Sequence, residues 1–132
     1  MSGNKHLVFV YGTLKNGNGL HGVLRQCKCV APEAYTIDSD FKMVYSNGER
    51  GFPFVFKVDK GTGRHIKGEV YEVDDTILAE LDAIEGVPYM YRREVVPVSL
   101  RARKNADCYM YVSPVERNGK ECGPENTPYY EY

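Results

Sequence analysis

A carboxylate at the end of an apolar helical stripe is the residue of this chain best placed to do chemistry. At about 100° per residue, Ile77, Leu78, Leu81 and Ile84 fall on one side of a helix, and Glu85 points with them. Glu80 and Asp82 lie towards the flanks, where solvent reaches them. Desolvation raises the pKa of a carboxyl in such a place unless a cation or several donors offset it, and raised carboxyls serve as general bases. If the helix ends before Glu85, fraying turns the side chain outward and leaves one more solvated acid. Periodicity alone does not choose between these two readings.

The second candidate is Val8-Phe9-Val10-Tyr11-Gly12-Thr13-Leu14-Lys15. Apolar β-formers stop abruptly at a glycine, and the backbone beyond can turn its N–H groups towards an anionic ligand. A first core strand followed by an ordinary loop would use the same residues. Just behind it, Gly17-Asn18-Gly19-Leu20-His21-Gly22 matches the dinucleotide pattern G-x-G-x-x-G, with Asp38 about twenty residues on. However, Gly17 stands well beyond the strand end at Tyr11, the helix that follows is short, and 132 residues leave no room for a second βαβ half. The dinucleotide reading ranks below an anion-binding loop.

Three tyrosines sit near these candidates in sequence. Tyr91 follows the helix closely enough to reach the same cavity, and it is the one assigned to the pocket. Tyr109 and Tyr111 share one face of the last strand, as pocket residues or as core tyrosines with one satisfied polar end. Cys108 alternates with Met110 and Val112, the pattern of core packing rather than of a nucleophile.

The elements that must hold these residues are mostly strands. Residues 6–11 read as the first strand and 20–26 as a short helix. Short strands follow over 29–58, broken by the turn Asn47-Gly48. Gly61-Thr62-Gly63 is a further turn, and a strand resumes over 66–73. Asp74-Asp75 cap the one long helix, 76–85, which Gly86 and Pro88 end. Strands over 92–100 and 107–112 complete the core. Helices do not alternate with strands as a doubly wound sheet requires, so the fold class is α+β, a mixed curled β-barrel with flanking helices. The chain reads as a single domain, 1–132, with its core over 6–113 and a tail over 114–132 packed by Tyr129, Tyr130 and Tyr132.

Composition excludes several classes of partner. Net charge is −1, from 17 basic and 18 acidic residues, so no whole-protein field points to nucleic acid or an anionic membrane. The basic cluster Arg101-Ala102-Arg103-Lys104 reads as a solvated turn. No stretch approaches membrane-spanning length and residues 1–15 lack a secretory pattern, so a cytoplasmic protein is expected. Its cysteines, Cys27, Cys29, Cys108 and Cys122, are then expected as thiols. Cys27-Lys28-Cys29 has the wrong spacing for a zinc knuckle, and no metal or other cofactor is expected.

Tyr11-Gly12-Thr13-Leu14 after an apolar strand, Gly68-Glu69-Val70-Tyr71-Glu72-Val73 before the long helix, Leu81-Asp82-Ala83-Ile84-Glu85-Gly86 at its end and Tyr91-Arg92-Arg93 after it together resemble the gamma-glutamylcyclotransferase superfamily, most of all its gamma-glutamylamine branch. The resemblance runs from about residue 7 to 113 and implies the family's mixed barrel. It also implies that Tyr11, Gly12, Thr13 and Leu14 hold the glutamyl part of a small-molecule substrate and that Glu85 is the general acid/base. The implied reaction splits a γ-glutamyl amide into a free amine and 5-oxoproline by attack of the substrate's own α-amine. γ-Glutamyl amino acids or glutathione are the competing substrates, and a non-catalytic module of the same fold is the competing class. Phe52, Phe54 and Val87 would suit an apolar channel for an amine, Arg92 or Arg93 the α-carboxylate of an amino acid. A monomer is expected.

Overall fold

The computed structural model describes residues 4–19, 21–45, 52–100 and 104–132. Leu20 of the expected short helix, the Asn47-Gly48 turn, Gly51 and Arg101 to Arg103 lie outside the described residues. Among the described residues the chain forms β1 (Lys5–Val10), a single 3-10 turn (His21–Leu24), β2 (Lys28–Thr36), β3 (Phe41–Tyr45), β4 (Pro53–Lys57), β5 (His65–Asp74), α1 (Asp75–Ile84), β6 (Arg92–Ser99), β7 (Asn105–Val112) and β8 (Tyr129–Tyr130).

Side chains alternate across a strand, and β1 uses both its faces. Phe9 packs into one core with Ile66, Val70, Val98 and Met110, whereas Val8 and Val10 pack into a second with Leu78 and Leu81 of α1. A strand buried on both faces belongs in the middle of a sheet. β1 accordingly pairs along its whole length with β5, antiparallel from Lys5↔Asp74 to Val10↔Glu69, and with β7 in parallel at Val8↔Tyr109. Those pairings close the ring β1-β7-β6-β2-β5, which removes its exposed sheet edges. The α+β class and the mixed, curled barrel expected from the sequence are what the chain forms.

Two smaller pieces finish the barrel. β3 and β4 pair as a separate hairpin whose Phe41, Met43 and Val55 join the interior core. The tail returns as β8, parallel to the start of β5 at His65↔Tyr129, and buries Tyr130.

α1 has a clear beginning and end. The Asp74 carboxylate accepts the Ile77 N–H at 2.8 Å, satisfying one of the donors a helix start leaves free. Leu78 and Leu81 are buried against the barrel. At the other end Glu85 keeps nearly helical angles (φ −82, ψ −3), and Gly86 takes φ +65. The Gly86 N–H then reaches the Ala83 carbonyl at 3.2 Å and the Val87 N–H the Asp82 carbonyl at 3.1 Å, the pair of bonds that defines a Schellman end. The helix therefore carries Glu85 on its last ordered turn, without fraying. The second expected helix, over 20–26, is instead the four-residue 3-10 turn, in which only Leu24 is buried. Gly22 lies inside it and gives it little intrinsic helicity.

Candidate active site

The end of β1, the end of α1 and the start of β4 converge on a cavity of about 220 Å3, smaller than the ~300–1,000 Å3 common for drug-sized ligands. Tyr11, Gly12, Thr13 and Leu14 form one wall, Glu85 and Tyr91 another. Thus all six residues singled out in the sequence meet at one place, although 80 positions of chain separate Tyr11 from Tyr91.

Gly12 is where this wall needs a glycine. A Cβ built there would stand 2.7 Å from Cγ of Pro53, so the loop lies flush against the proline ring only because residue 12 has no side chain. Beyond it, the Lys15 N–H donates to the Gly12 carbonyl at 3.0 Å and closes a turn over residues 12–15. Among the described residues the N–H groups of Gly12, Thr13 and Leu14 donate to no protein acceptor. Unpartnered amides in a loop wall are the donors an anion requires.

Glu85 is the one charged residue among the described residues lining the cavity. Burial pushes its carboxyl up from an ordinary value of 4.5 to about 7. The absence of any offset has a structural explanation. Three tyrosine rings crowd the carboxylate closely enough for its charge to raise their own pKa values, on top of the larger effect of burial. All three hydroxyl protons, however, are used elsewhere. Tyr11 donates to the Tyr111 carbonyl at 2.6 Å, Tyr91 to the Pro53 carbonyl at 2.8 Å and Tyr111 to Asp82 Oδ1 at 2.8 Å. Tyr91 is therefore at the pocket by its ring, while its hydroxyl braces the loop wall through Pro53.

Several expectations change. Asp82 lies on the flank within reach of solvent, 29% exposed, but it is not free there: it accepts from Tyr111 and is paired with Arg93 at 2.6 Å. The Asp82 partners lie 11 and 29 residues away, beyond any local periodicity. Tyr111 lines the cavity and Tyr109 does not; Tyr109 sits beneath the Arg93 guanidinium, 4.6 Å from ring centre to Cζ. Ile84, read as part of the buried stripe, is 40% exposed at the cavity mouth with Phe52 and Met90. Of the expected channel residues, Phe52 lines the cavity. Phe54 is buried behind it, stacked on Tyr91 at 5.5 Å, and Val87 lies outside the lining. Arg92 and Arg93 are also outside the lining.

Cys108 is buried in the interior core with its thiol pushed up to about 11 by desolvation, in keeping with the packing role read from its alternation. The G-x-G-x-x-G match has no strand-to-helix crossover around it: three successive turns follow β1, and Gly17 (φ +91) sits in the second of them. Among the described residues no helix is long and apolar enough to cross a membrane, and no three His, Cys, Asp or Glu side chains are grouped to hold a metal ion.

The chain is similar in sequence and in fold to known proteins. Human gamma-glutamylaminecyclotransferase is 39% identical over 98 residues, which cover 71% of this chain and 62% of the human protein. The Bos taurus protein of the same name is 36% identical, over 85% of this chain and 68% of its own length. Among solved structures, the crystal structure of an AIG2-like protein from Mus musculus superposes with a TM-score of 0.76 at 25% identity, covering 94% of this chain and 99% of the mouse chain. The family described as gamma-glutamyl cyclotransferase, AIG2-like, matches residues 8–130. That span holds the loop, the carboxylate and the closed barrel alike, and so the chain belongs to the gamma-glutamyl cyclotransferase, AIG2-like family.

Proposed function

We propose that this chain is a gamma-glutamylamine cyclotransferase, which releases a free amine and 5-oxoproline from a γ-glutamyl amide. The observation that carries the reading is a desolvated carboxyl, Glu85, sharing a cavity with loop amides that, among the described residues, have no protein acceptor, and with no cation among the described lining residues.

The glutamyl α-carboxylate is fully charged from the outset, and a buried charge needs donors or a partner ion. With no Lys, Arg or His among the described lining residues, the amides of Thr13 and Leu14 receive it. So held, the α-nitrogen lies near the substrate's own δ-carbonyl carbon, and a bound near-attack shape lowers the barrier for ring closure. Glu85 takes one proton from the α-ammonium, and the nitrogen closes on the carbonyl carbon. Glu85 returns the proton to the amide nitrogen, and the C–N bond breaks. The surplus proton left on the ring nitrogen passes to the amine, which departs as an ammonium. A pKa near 7 suits a group that must both accept and donate at neutral pH.

The leaving group passes the mouth lined by Phe52, Ile84 and Met90. An aliphatic amine such as a lysine side chain fits that apolar rim. An α-amino acid or glutathione would bring a carboxylate next to the departing nitrogen with no cation among the described lining residues to meet it. Release of 5-oxoproline from γ-glutamyl-ε-lysine, γ-glutamyl-alanine and glutathione, assayed side by side, tests this: the first is expected to turn over fastest. A preference for glutathione would overturn the amine assignment, and no release from any of the three would overturn the reading as a whole. Its small-molecule substrate, its independence of cofactors and a cytoplasmic, monomeric state complete the proposal.

A further inference from the structure

The run Asn16 to Gly22 takes no part in the chemistry above, yet its polar side chains reach back to the loop that does. Asn18 Nδ2 donates to the Gly12 carbonyl at 2.9 Å, and His21 Nδ1 donates to the Leu14 carbonyl at 2.9 Å. A ring nitrogen facing a carbonyl oxygen carries the hydrogen of that bond. The backbone places both side chains through three linked turns, Lys15 N–H to Gly12 carbonyl at 3.0 Å, Asn18 N–H to Lys15 carbonyl at 3.0 Å and His21 N–H to Asn18 carbonyl at 3.2 Å. Each turn advances three residues, so the side chains at 18 and 21 come back beside the turn at 12–15. Glu69 anchors the middle of the series by accepting the Asn16 N–H at 2.9 Å. It also accepts the Tyr71 hydroxyl, and the Tyr71 ring packs against His21 at 5.5 Å.

Peptide planarity turns these contacts into control of the site. Because a trans peptide points its C=O and N–H in opposite directions, fixing the Gly12 carbonyl outward fixes the Thr13 N–H the other way. Fixing the Leu14 carbonyl sets the next plane, whose Lys15 N–H closes the turn. The two central amides, Thr13 and Leu14, are left in the cavity wall with no protein acceptor among the described residues.

We propose that Asn18 and His21 are positioning residues: from outside the cavity they pin the two carbonyls of the turn at 12–15, so that the Thr13 and Leu14 amides are preset for the substrate's α-carboxylate. The inference rests on the function proposed above and gives the G-x-G-x-x-G decoy a purpose, as the brace of a carboxylate receptor. Pinning removes the cost of ordering the turn when substrate arrives.

The test uses the full chain and γ-glutamyl-ε-lysine. Asn18→Ala and His21→Ala are expected to raise KM by about 10- to 100-fold, with kcat changing less, because misplacing a positioning group by an ångström costs up to about 100-fold. His21→Asn, whose Nδ2 stands near the place of Nδ1, is expected to recover most of the lost affinity. Asn18→Asp keeps the shape of Asn18 without its donor and is expected to behave like the alanine variant. Unaltered KM in His21→Ala, or equal losses in His21→Ala and His21→Asn, would overturn the proposal. A second readout separates it from the functional reading. The 1H–15N shifts of the Thr13 and Leu14 amides in the ligand-free protein should move in His21→Ala and return in His21→Asn whether or not any γ-glutamyl amide is cleaved. Shifts that stay at their wild-type positions in both alanine variants would sink the brace even in an active enzyme.

Discussion

A carboxyl titrating near neutrality is usually traced to its neighbours' charges, but Glu85 owes its position to neighbours that are otherwise engaged. Burial alone raises it, while the hydroxyls of Tyr11, Tyr91 and Tyr111 serve the Tyr111 carbonyl, the Pro53 carbonyl and Asp82. The helical stripe offered a raised pKa as one of two readings, and the ordered helix end at Gly86 decides for it; the reason it stays raised was not legible, since each hydroxyl's acceptor lies on a different element. Asp82 illustrates the same limit. Helix geometry put it on a flank, and only the fold could bring Arg93 and Tyr111 to it. Tyr111→Phe removes one of the two groups that satisfy the Asp82 carboxylate and leaves Arg93 as the other. It is expected to lower unfolding free energy by about 1–2 kcal/mol, read by urea denaturation, while retaining measurable turnover because the ring still lines the cavity.

At the scale of elements, the site is a meeting of ends. β1 ends in the loop, α1 ends on Glu85, and β4 begins with Pro53, whose ring lies against Gly12 and whose carbonyl accepts the Tyr91 hydroxyl. Gly12→Ala places a Cβ into the Pro53 ring, whose Cγ would be 2.7 Å away, and forces the wall apart. At least a tenfold loss of kcat/KM is expected, with a fall in stability of about 1 kcal/mol or more of the kind overpacking produces; wild-type kinetics in this variant would contradict the packing argument. These ends were largely legible. Alternating apolar residues marked the strands, Asp74 marked the helix start and Gly86 its end, because caps and alternation are local rules. The segment at 21–24 was misread as a helix because Leu20, Val23 and Leu24 carry helical spacing while Gly22 and the preceding linked turns leave room for only one 3-10 turn.

Over the whole molecule, closure of the barrel lets a short chain hold a desolvated carboxyl. Nothing in the spacing of β1 announced that it would pair with β5 on one side and β7 on the other; its two buried faces were the local hint, and the resemblance to a known family supplied the rest. The cost of Glu85 falls on the stability of the whole fold. Its folded pKa, about 7, lies above the ordinary 4.5, so between those values the native state binds the proton more readily than the unfolded chain. Stability from this group therefore declines as pH rises from about 4.5 to 7 and stays low above. Glu85→Gln is expected to be more stable than wild type at pH well above that range, by at most about 3 kcal/mol, with the gain vanishing in acid below it. Parallel denaturation curves with a pH-independent difference would show that the carboxyl is not desolvated.

The most direct test of the central claim is 5-oxoproline release from γ-glutamyl-ε-lysine as a function of pH by wild type and Glu85→Gln. The wild-type kcat/KM should rise with pH through a limb near 7, the value to which burial pushes Glu85. The variant should bind 5-oxoproline yet lose turnover by about 100- to 10,000-fold, the range for a positioned general acid/base, and the limb should vanish. A Glu85→Gln variant with wild-type turnover, or a limb that persists in it, would contradict the assignment of Glu85 as the proton carrier.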